Sequence, residues 1–191
     1  RFRVTTQSKH AFPIAPNRLG RRFQVEGPNR VWVSDITYIR LQQGWVYLAV
    51  FIDLFSRQVV GWALSRSLDH GLVLKALERA RQKRKPEPGL MIHSDRGVQY
   101  ACTGFRQVLK RYGYVQSMSR KADCWDNSVA ESFFHLLKSE LIYHYAWYGY
   151  ADVHAALFEY IELFYNRERT HSTLGYLTPV DFEQQALKIA A

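Results

Sequence analysis

Asn29-Arg30-Val31-Trp32-Val33-Ser34-Asp35-Ile36-Thr37-Tyr38-Ile39-Arg40-Leu41, the Gln42-Gln43-Gly44 turn, and Trp45-Val46-Tyr47-Leu48-Ala49-Val50-Phe51-Ile52 together decide the architecture. Residues 31–41 are rich in β-branched and aromatic side chains, the turn reverses the chain, and residues 45–52 supply a second strand. A third strand is expected over 57–64. Such short connections call for antiparallel neighbours, because parallel strands need a long crossover. The apolar spacing then becomes helical. Leu72, Ala76, Leu77 and Ala80 mark a helix over 68–85, ended by Pro86 and Pro88, with late Lys and Arg residues suited to its carboxyl end. Residues 90–94 form a short buried-strand candidate. Residues 103–112 form a helix closed by Gly113, with Phe105, Val108, Leu109 and Tyr112 as its stripe, and 114–117 a further short strand. Helices over 128–141 and 151–165 follow. Thr178-Pro179-Val180-Asp181 starts another, with Thr as N-cap and Pro at the first helical position. Three strands followed by alternating helices and strands make an α/β layer architecture with a mixed sheet.

The 191 residues amount to one ordinary domain with short extensions, and 47% apolar content excludes a disordered tail. Cys102 and Cys124 stand apart with no CxxC pair, which indicates neither a disulfide framework nor a cysteine zinc site and suits a reducing compartment. No apolar run reaches the roughly 18 residues that span a bilayer, and no signal-peptide core is visible, so no membrane is expected and the chain reads as soluble and cytoplasmic. Lys and Arg number 26 against 17 Asp and Glu, a net charge of +9 that makes nucleic acid the first partner to test. Residues 1–28 carry six Lys or Arg against one Glu, with Pro13, Pro16 and Gly20, and read as a basic extended arm or linker.

Three carboxylates stand out. Asp35 interrupts the first strand on the face of Val31, Val33, Thr37 and Ile39, where an acid costs burial energy unless it is paired or faces a site. A sheet rim or a salt bridge is the plain alternative. Asp95 follows the short strand in Ile92-His93-Ser94-Asp95-Arg96-Gly97, where α/β proteins commonly place ligands, though an Asp holding a turn would look the same. Glu131 fits a capping box with Ser128. It also shares a helix face with His135, Lys138 and Ile142, roughly 100° from the Phe133, Phe134, Leu137 and Leu141 stripe. Three acids converging would suit hard cations such as Mg²⁺ or Mn²⁺, and two ions about 4 Å apart support in-line phosphoryl transfer.

Five blocks carry a resemblance. They are Trp32-Val33-Ser34-Asp35-Ile36-Thr37-Tyr38-Ile39; Asp53-Leu54-Phe55-Ser56-Arg57; His93-Ser94-Asp95-Arg96-Gly97-Val98-Gln99-Tyr100; Cys124-Trp125-Asp126-Asn127-Ser128-Val129-Ala130-Glu131-Ser132-Phe133-Phe134; and the run from Tyr165-Asn166-Arg167-Glu168-Arg169-Thr170-His171 to Tyr176, followed by Thr178-Pro179. Across about 29–182 the chain resembles the catalytic core of insertion-sequence transposases of the OrfB type, relatives of retroviral integrase. Thirty-five residues separate Asp95 from Glu131, as in that family. The resemblance implies a ribonuclease H-like fold with a five-stranded mixed sheet flanked by helices. It implies that Asp35, Asp95 and Glu131 hold Mg²⁺, two ions in the active complex, with Mn²⁺ substituting. The implied activity is cleavage at transposon ends and attack of a 3′-hydroxyl on a phosphodiester, through a figure-eight that leads to a circle. Double-stranded DNA, both transposon ends and target, would be the partner. A homodimer or higher assembly would act on it, nucleoid-associated, with no nucleotide cofactor. The core would then run from 29 to 182, with 183–191 as a helix end or tail.

The resemblance also marks His135, Lys138, Arg120, Lys121, Arg167, Arg169 and His171 as candidate DNA contacts. For the last three, a structural network anchoring the carboxyl-terminal helix competes. His93 alternates with Asp95 as a candidate to orient it or to shape the surroundings of the metal behind its direct ligands. Asp53 and Asp126 stay outside the catalytic trio, as turn-stabilising and helix-capping acids. The aromatic residues Tyr143, Tyr145, Trp147, Tyr148 and Tyr150 favour packing or a protein interface over base stacking. No helical DNA-binding region is visible before the core, so a catalytic fragment or truncated copy is expected. Ala122 and Asp123 replace the family's Gly-Asn. Two rivals remain: a ribonuclease H-like nuclease that does not join strands, and a non-catalytic DNA-binding protein derived from a transposase.

Overall fold

A computed structural model describes residues 10–121 and 124–190, with the backbone alone for Cys124 and Ala190. Residues 1–9 of the basic arm, and the Ala122-Asp123 departure, lie outside the described residues.

The opening stretch forms β1 (Val31–Arg40), β2 (Trp45–Asp53) and β3 (Val59–Ser65), an antiparallel meander. After α1 (His70–Arg84), the strands β4 (Met91–Ser94) and β5 (Val115–Met118) add in parallel on the other side of β1. The order is β3-β2-β1-β4-β5, which makes β1 the middle strand of a five-stranded mixed sheet. The two short helices α2 (Val98–Ala101) and α3 (Thr103–Arg111) form the crossover between β4 and β5 that parallel pairing demands.

Helices cover both faces, so the strands are apolar on both sides rather than alternating. On one face Val31, Val33 and Ile39 of β1, with Val46, Leu48, Val50 and Ile52 of β2, pack against Phe133, Phe134 and Leu137 of α4 (Ser128–Glu140) and Val153 and Leu157 of α5 (Tyr150–Phe158). On the other, Trp32 and Ile36 meet Leu72, Val73, Ala76 and Leu77 of α1 and Phe105 and Leu109 of α3. α1 approaches so closely that a Cβ on Gly61 would lie 2.6 Å from the Ala76 carbonyl oxygen and from Ala80 Cβ. Asp69 caps α1 by accepting from Leu72 N at 3.2 Å.

Beyond α5 the chain continues as a π-helical segment, Glu159–Tyr165, instead of the single helix expected over 151–165. It delivers Asn166 to the exposed edge of β3. There the carboxamide accepts from Val59 N at 2.9 Å and donates to Val59 O at 3.0 Å, pairing an edge that would otherwise be open. α6 (Pro179–Ala190) starts as expected, with Thr178 Oγ1 accepting from Asp181 N at 3.1 Å. Part of the arm packs on this framework. Leu19 is buried in the α4-side core, and the amides of Arg18 and Leu19 donate to Ser117 Oγ.

Asp53 and Arg84 knit these pieces together. The buried Asp53 carboxylate accepts from Asn29 N at 2.7 Å, Phe55 N at 2.9 Å and Trp32 Nε1 at 3.3 Å. Arg84 lies 3.5 Å from Asp53 and pairs with Glu183 of α6 at 2.6 Å. Burial still pushes the Asp53 carboxyl up despite these donors. Asp53 is thus the turn-holding acid, as expected.

Candidate active site

β1 and β4 run side by side with Val31, Trp32 and Val33 opposite Met91, Ile92 and His93. Carrying that register two residues on sets Asp35 opposite Asp95, one residue past the end of β4. Alternation along β1 turns Asp35 to the face of Val31 and Val33, the face that α4 covers. Asp35 is only partly exposed there, and its Oδ1 accepts from Ile36 N at 2.8 Å. Burial raises its pKa well above the ordinary carboxylate range, and Asp95 and then Glu131 raise it further, against the Ile36 amide and the Lys138 ammonium.

Asp95 opens the loop after β4 and accepts from Gly97 N at 2.8 Å. A Cβ on residue 97 would stand 2.9 Å from that same Asp95 oxygen, so glycine permits the tight turn. The turn-holding role and the site-facing role therefore coexist in one carboxylate.

Glu131 occupies the first turn of α4. The capping box with Ser128 does not form. A 3₁₀ turn, Cys124–Asn127, leads directly into α4, Asn127 sits at the N-cap, and its Nδ2 donates to Ser34 O at 3.2 Å, latching the helix start to β1 beside Asp35. Among the described residues Glu131 makes no hydrogen bond, and its side chain is exposed. Burial and then Asp95 raise its pKa. All three acids thus sense one another's charge. They do not form a ready-made coordination shell, because among the described residues no three His, Cys, Asp or Glu side chains stand at metal-holding distance.

Two groups complete the floor. Tyr100 Oη and Ser34 Oγ share a hydrogen bond of 2.8 Å on the α1 side of the sheet. Burial, then Asp35 and Asp95, raise the phenol well above its ordinary range. Tyr100 closes the His93-to-Tyr100 block, which was the only signal for it in the sequence.

The remaining candidates divide. His135 is exposed one turn beyond Glu131, and Lys138, half-buried, places its ammonium 4.9 Å from the centre of the Tyr38 ring while its charge reaches Asp35. Lys121 and Arg167 are exposed. Ile142 does not share the polar face: α4 ends at Glu140, a 3₁₀ turn follows, and Ile142 is buried.

Four expectations need correction. His93 does not orient Asp95, because its ring nitrogens meet Ser117 Oγ at 2.9 Å and Ser119 Oγ at 3.3 Å, and burial lowers its pKa to about 4. Arg169 is engaged with Glu140 at 2.8 Å rather than open to DNA. His171 is buried edge-on against Tyr165, and burial lowers its pKa to about 4. Arg169 and His171 thus hold structural contacts, to Glu140 of α4 and to Tyr165, instead of a network centred on the carboxyl-terminal helix. Arg120 binds the buried Asp126 carboxylate through its backbone amide at 2.8 Å and its guanidinium at 2.9 Å, so Asp126 anchors a loop instead of capping α4.

The integrase core domain family matches this chain at residues 25–124 and again at 131–187. The chain belongs to that family, and within it is a transposase catalytic core. It is 41% identical over 191 residues to the insertion element IS600 uncharacterized 31 kDa protein of Shigella sonnei, covering all of this chain and 70% of that protein. It is 42% identical over 187 residues to the transposase InsF for insertion sequence IS3fB of Escherichia coli K12, covering 98% of this chain and 65% of the relative. The chain thus spans about two thirds of the length of these relatives. Among solved structures it resembles a chain of the simian T-cell lymphotropic virus intasome, with TM-score 0.71, 16% identity, 94% of this chain and 61% of that one. It also resembles the HTLV-2 integrase catalytic core domain in complex with magnesium, with TM-score 0.63, 16% identity, 82% of this chain and 97% of that one. The shared fold is ribonuclease H-like.

Proposed function

We propose that the chain cleaves DNA at the ends of an insertion sequence and joins the freed 3′-hydroxyl to a second phosphodiester, with Asp35, Asp95 and Glu131 as its catalytic acids. The observation that carries this reading is the in-register approach of Asp35 and Asp95 on neighbouring parallel strands, with α4 bringing Glu131 within reach of their charge. Carboxylates that raise one another's pKa in a partly buried setting are a donor set that favours a cation, and their hard oxygens suit Mg²⁺, with Mn²⁺ as the substitute and two ions as the working number. When bound there, such ions supply activation of the attacking hydroxyl and neutralise charge developing on the phosphate.

The chain's own residues do the positioning. Asn127 and Ser34 fix the start of α4 against β1, which sets the height of Glu131 above the sheet. Gly97 and the Asp95 turn hold the second acid at the strand end. Lys138 brings positive charge beside Asp35, and His135 and Lys121 offer exposed groups for the DNA backbone. Arg167 extends this basic surface.

One relative is a transposase for an insertion sequence, and one structural neighbour is a chain of an intasome, which supports double-stranded DNA and a homodimer or higher complex as the proposed partners, with a nucleoid location following from DNA binding. Among the described residues no helix is long and apolar enough to cross a membrane. The core in this reading runs over 29–182, flanked by the arm and the end of α6. Incubation with Mn²⁺ and a labelled duplex of the element's terminal sequence tests it. Joined products support strand transfer, nicks alone favour hydrolysis, and DNA binding with neither product favours a non-catalytic protein.

A further inference from the structure

Backbone pairing between β1 and β4 ends at Val33 opposite His93, two residues short of Asp35 and Asp95. The two acids therefore stand past the end of the ladder. Their charges push them apart there, since after burial it is Asp95 that raises the pKa of both Asp35 and Glu131. Beyond the ladder the two elements are joined by side chains. Ser34, the residue before Asp35, points to the opposite face of the sheet, where its Oγ shares a hydrogen bond of 2.8 Å with Tyr100 Oη. Tyr100 belongs to α2, which starts directly after the Asp95 turn: Gly97 is its N-cap, and the Gly97 carbonyl accepts from Tyr100 N at 3.0 Å. The rest of Tyr100 is fixed as well. Its carbonyl accepts from Gln116 Nε2 of β5 at 2.7 Å, and its ring stands edge-on to Phe105 with 5.5 Å between centroids. The hydroxyl lies in a buried apolar cluster with Trp32, Ile36 and Leu72, where a phenol without a partner would be costly. Ser34 also reaches the third acid's helix, because its carbonyl accepts from Asn127 Nδ2 at the start of α4. One buried serine thus touches the elements that carry Asp95 and Glu131, and Asp35 follows it directly on β1.

We propose that Tyr100 is a positioning residue: its hydroxyl, clasped to Ser34, holds the Asp95 turn against β1 and so sets the gap between Asp35 and Asp95 that a divalent cation closes. The inference rests on the reading of Asp35, Asp95 and Glu131 as the metal-holding set. Among the described residues the acids do not yet stand at metal-holding distance, so drawing them together works against their repulsion until the ion arrives. A turn free to drift away from β1 would add to that work. The clasp acts from behind the sheet, on the face away from α4, and touches neither ion nor DNA.

Binding of Mn²⁺ alone to the chain 1–191, followed through the electron paramagnetic resonance of the free ion, tests this without DNA. Asp95→Asn is the reference that loses a ligand, and its Mn²⁺ binding should fall furthest. Tyr100→Phe should weaken Mn²⁺ binding roughly 3- to 10-fold, the change that one hydrogen bond of ordinary net strength makes in a binding constant. It also leaves Ser34 Oγ buried without this partner, so its melting temperature should drop. Ser34→Ala and Tyr100→Phe together remove both polar atoms, and the double variant should regain most of the melting temperature while keeping the weak Mn²⁺ binding. If Mn²⁺ affinity returns with the melt in the double variant, or never departs from wild type in Tyr100→Phe, Tyr100 only supports the fold and the proposal is overturned. In that case Mn²⁺ binding that still depends on Asp95 leaves the metal-holding set standing. A wild type that binds Mn²⁺ no better than Asp95→Asn overturns the set itself, and the clasp with it.

Discussion

Replacing Glu131 by glutamine should abolish strand transfer and leave the melting curve almost where it was. The magnitude follows from what the side chain touches. It is exposed and makes no hydrogen bond among the described residues, so the amide strands no buried partner. What disappears is one acid in the first turn of α4, worth about 0.3–1 kcal/mol against the helix dipole. The repulsion that Asp95 exerts on Glu131 disappears as well and offsets part of that loss. The net change should stay within about 1 kcal/mol, which for a chain of this size moves Tm by about 2–4 °C. Activity should fall by at least about 10²–10³, the scale of losing one group that stabilises developing charge. Circular dichroism melts and a gel of joined products with Mn²⁺ measure both. A stability loss above about 2 kcal/mol would show that Glu131 mainly supports the helix start. Joined product within about tenfold of wild type would remove it from the chemistry.

Asp53→Asn should do the reverse, losing about 1–3 kcal/mol in urea unfolding, because three buried donors share two carboxylate oxygens and the amide keeps only one acceptor. A loss under about 1 kcal/mol would contradict its structural role. Gly61→Ala should cost about 1–3 kcal/mol or more by driving α1 off the sheet, and an unchanged urea midpoint would show that α1 yields freely. Acid should destabilise the fold through His93 and His171. Burial holds both near pKa 4, whereas the unfolded chain takes up protons from about 6.5, so stability is full above pH 6.5 and is lost as pH falls towards 4. Each contributes up to about 3 kcal/mol of that loss, and urea midpoints that stay flat from pH 7 to 4 would refute it.

The strands and longer helices were legible because their apolar periods are strong, and Thr178 announced its helix through a side chain that caps locally. The acids were legible through their blocks. What escaped depends on partners far away in sequence. Nothing around His93 signals that Ser117 and Ser119 will take its nitrogens, and nothing near Asp126 signals Arg21 across more than a hundred residues. Asn127 displaced Ser128 as the N-cap because a 3₁₀ turn precedes the helix, a tertiary choice invisible to the Ser-x-x-Glu pattern. The π-helical segment escaped as well, since its apolar spacing reads as ordinary helix.

The parallel pairing of β1 with β4 has a consequence during synthesis. The meander can zip up as soon as it leaves the ribosome, yet it brings only one acid. The second arrives with the first crossover, and the third only when α4 docks on the far side of the sheet. A nascent, stalled or clipped chain therefore holds an incomplete set, and any chemistry that needs all three acids waits until nearly the whole domain has been made.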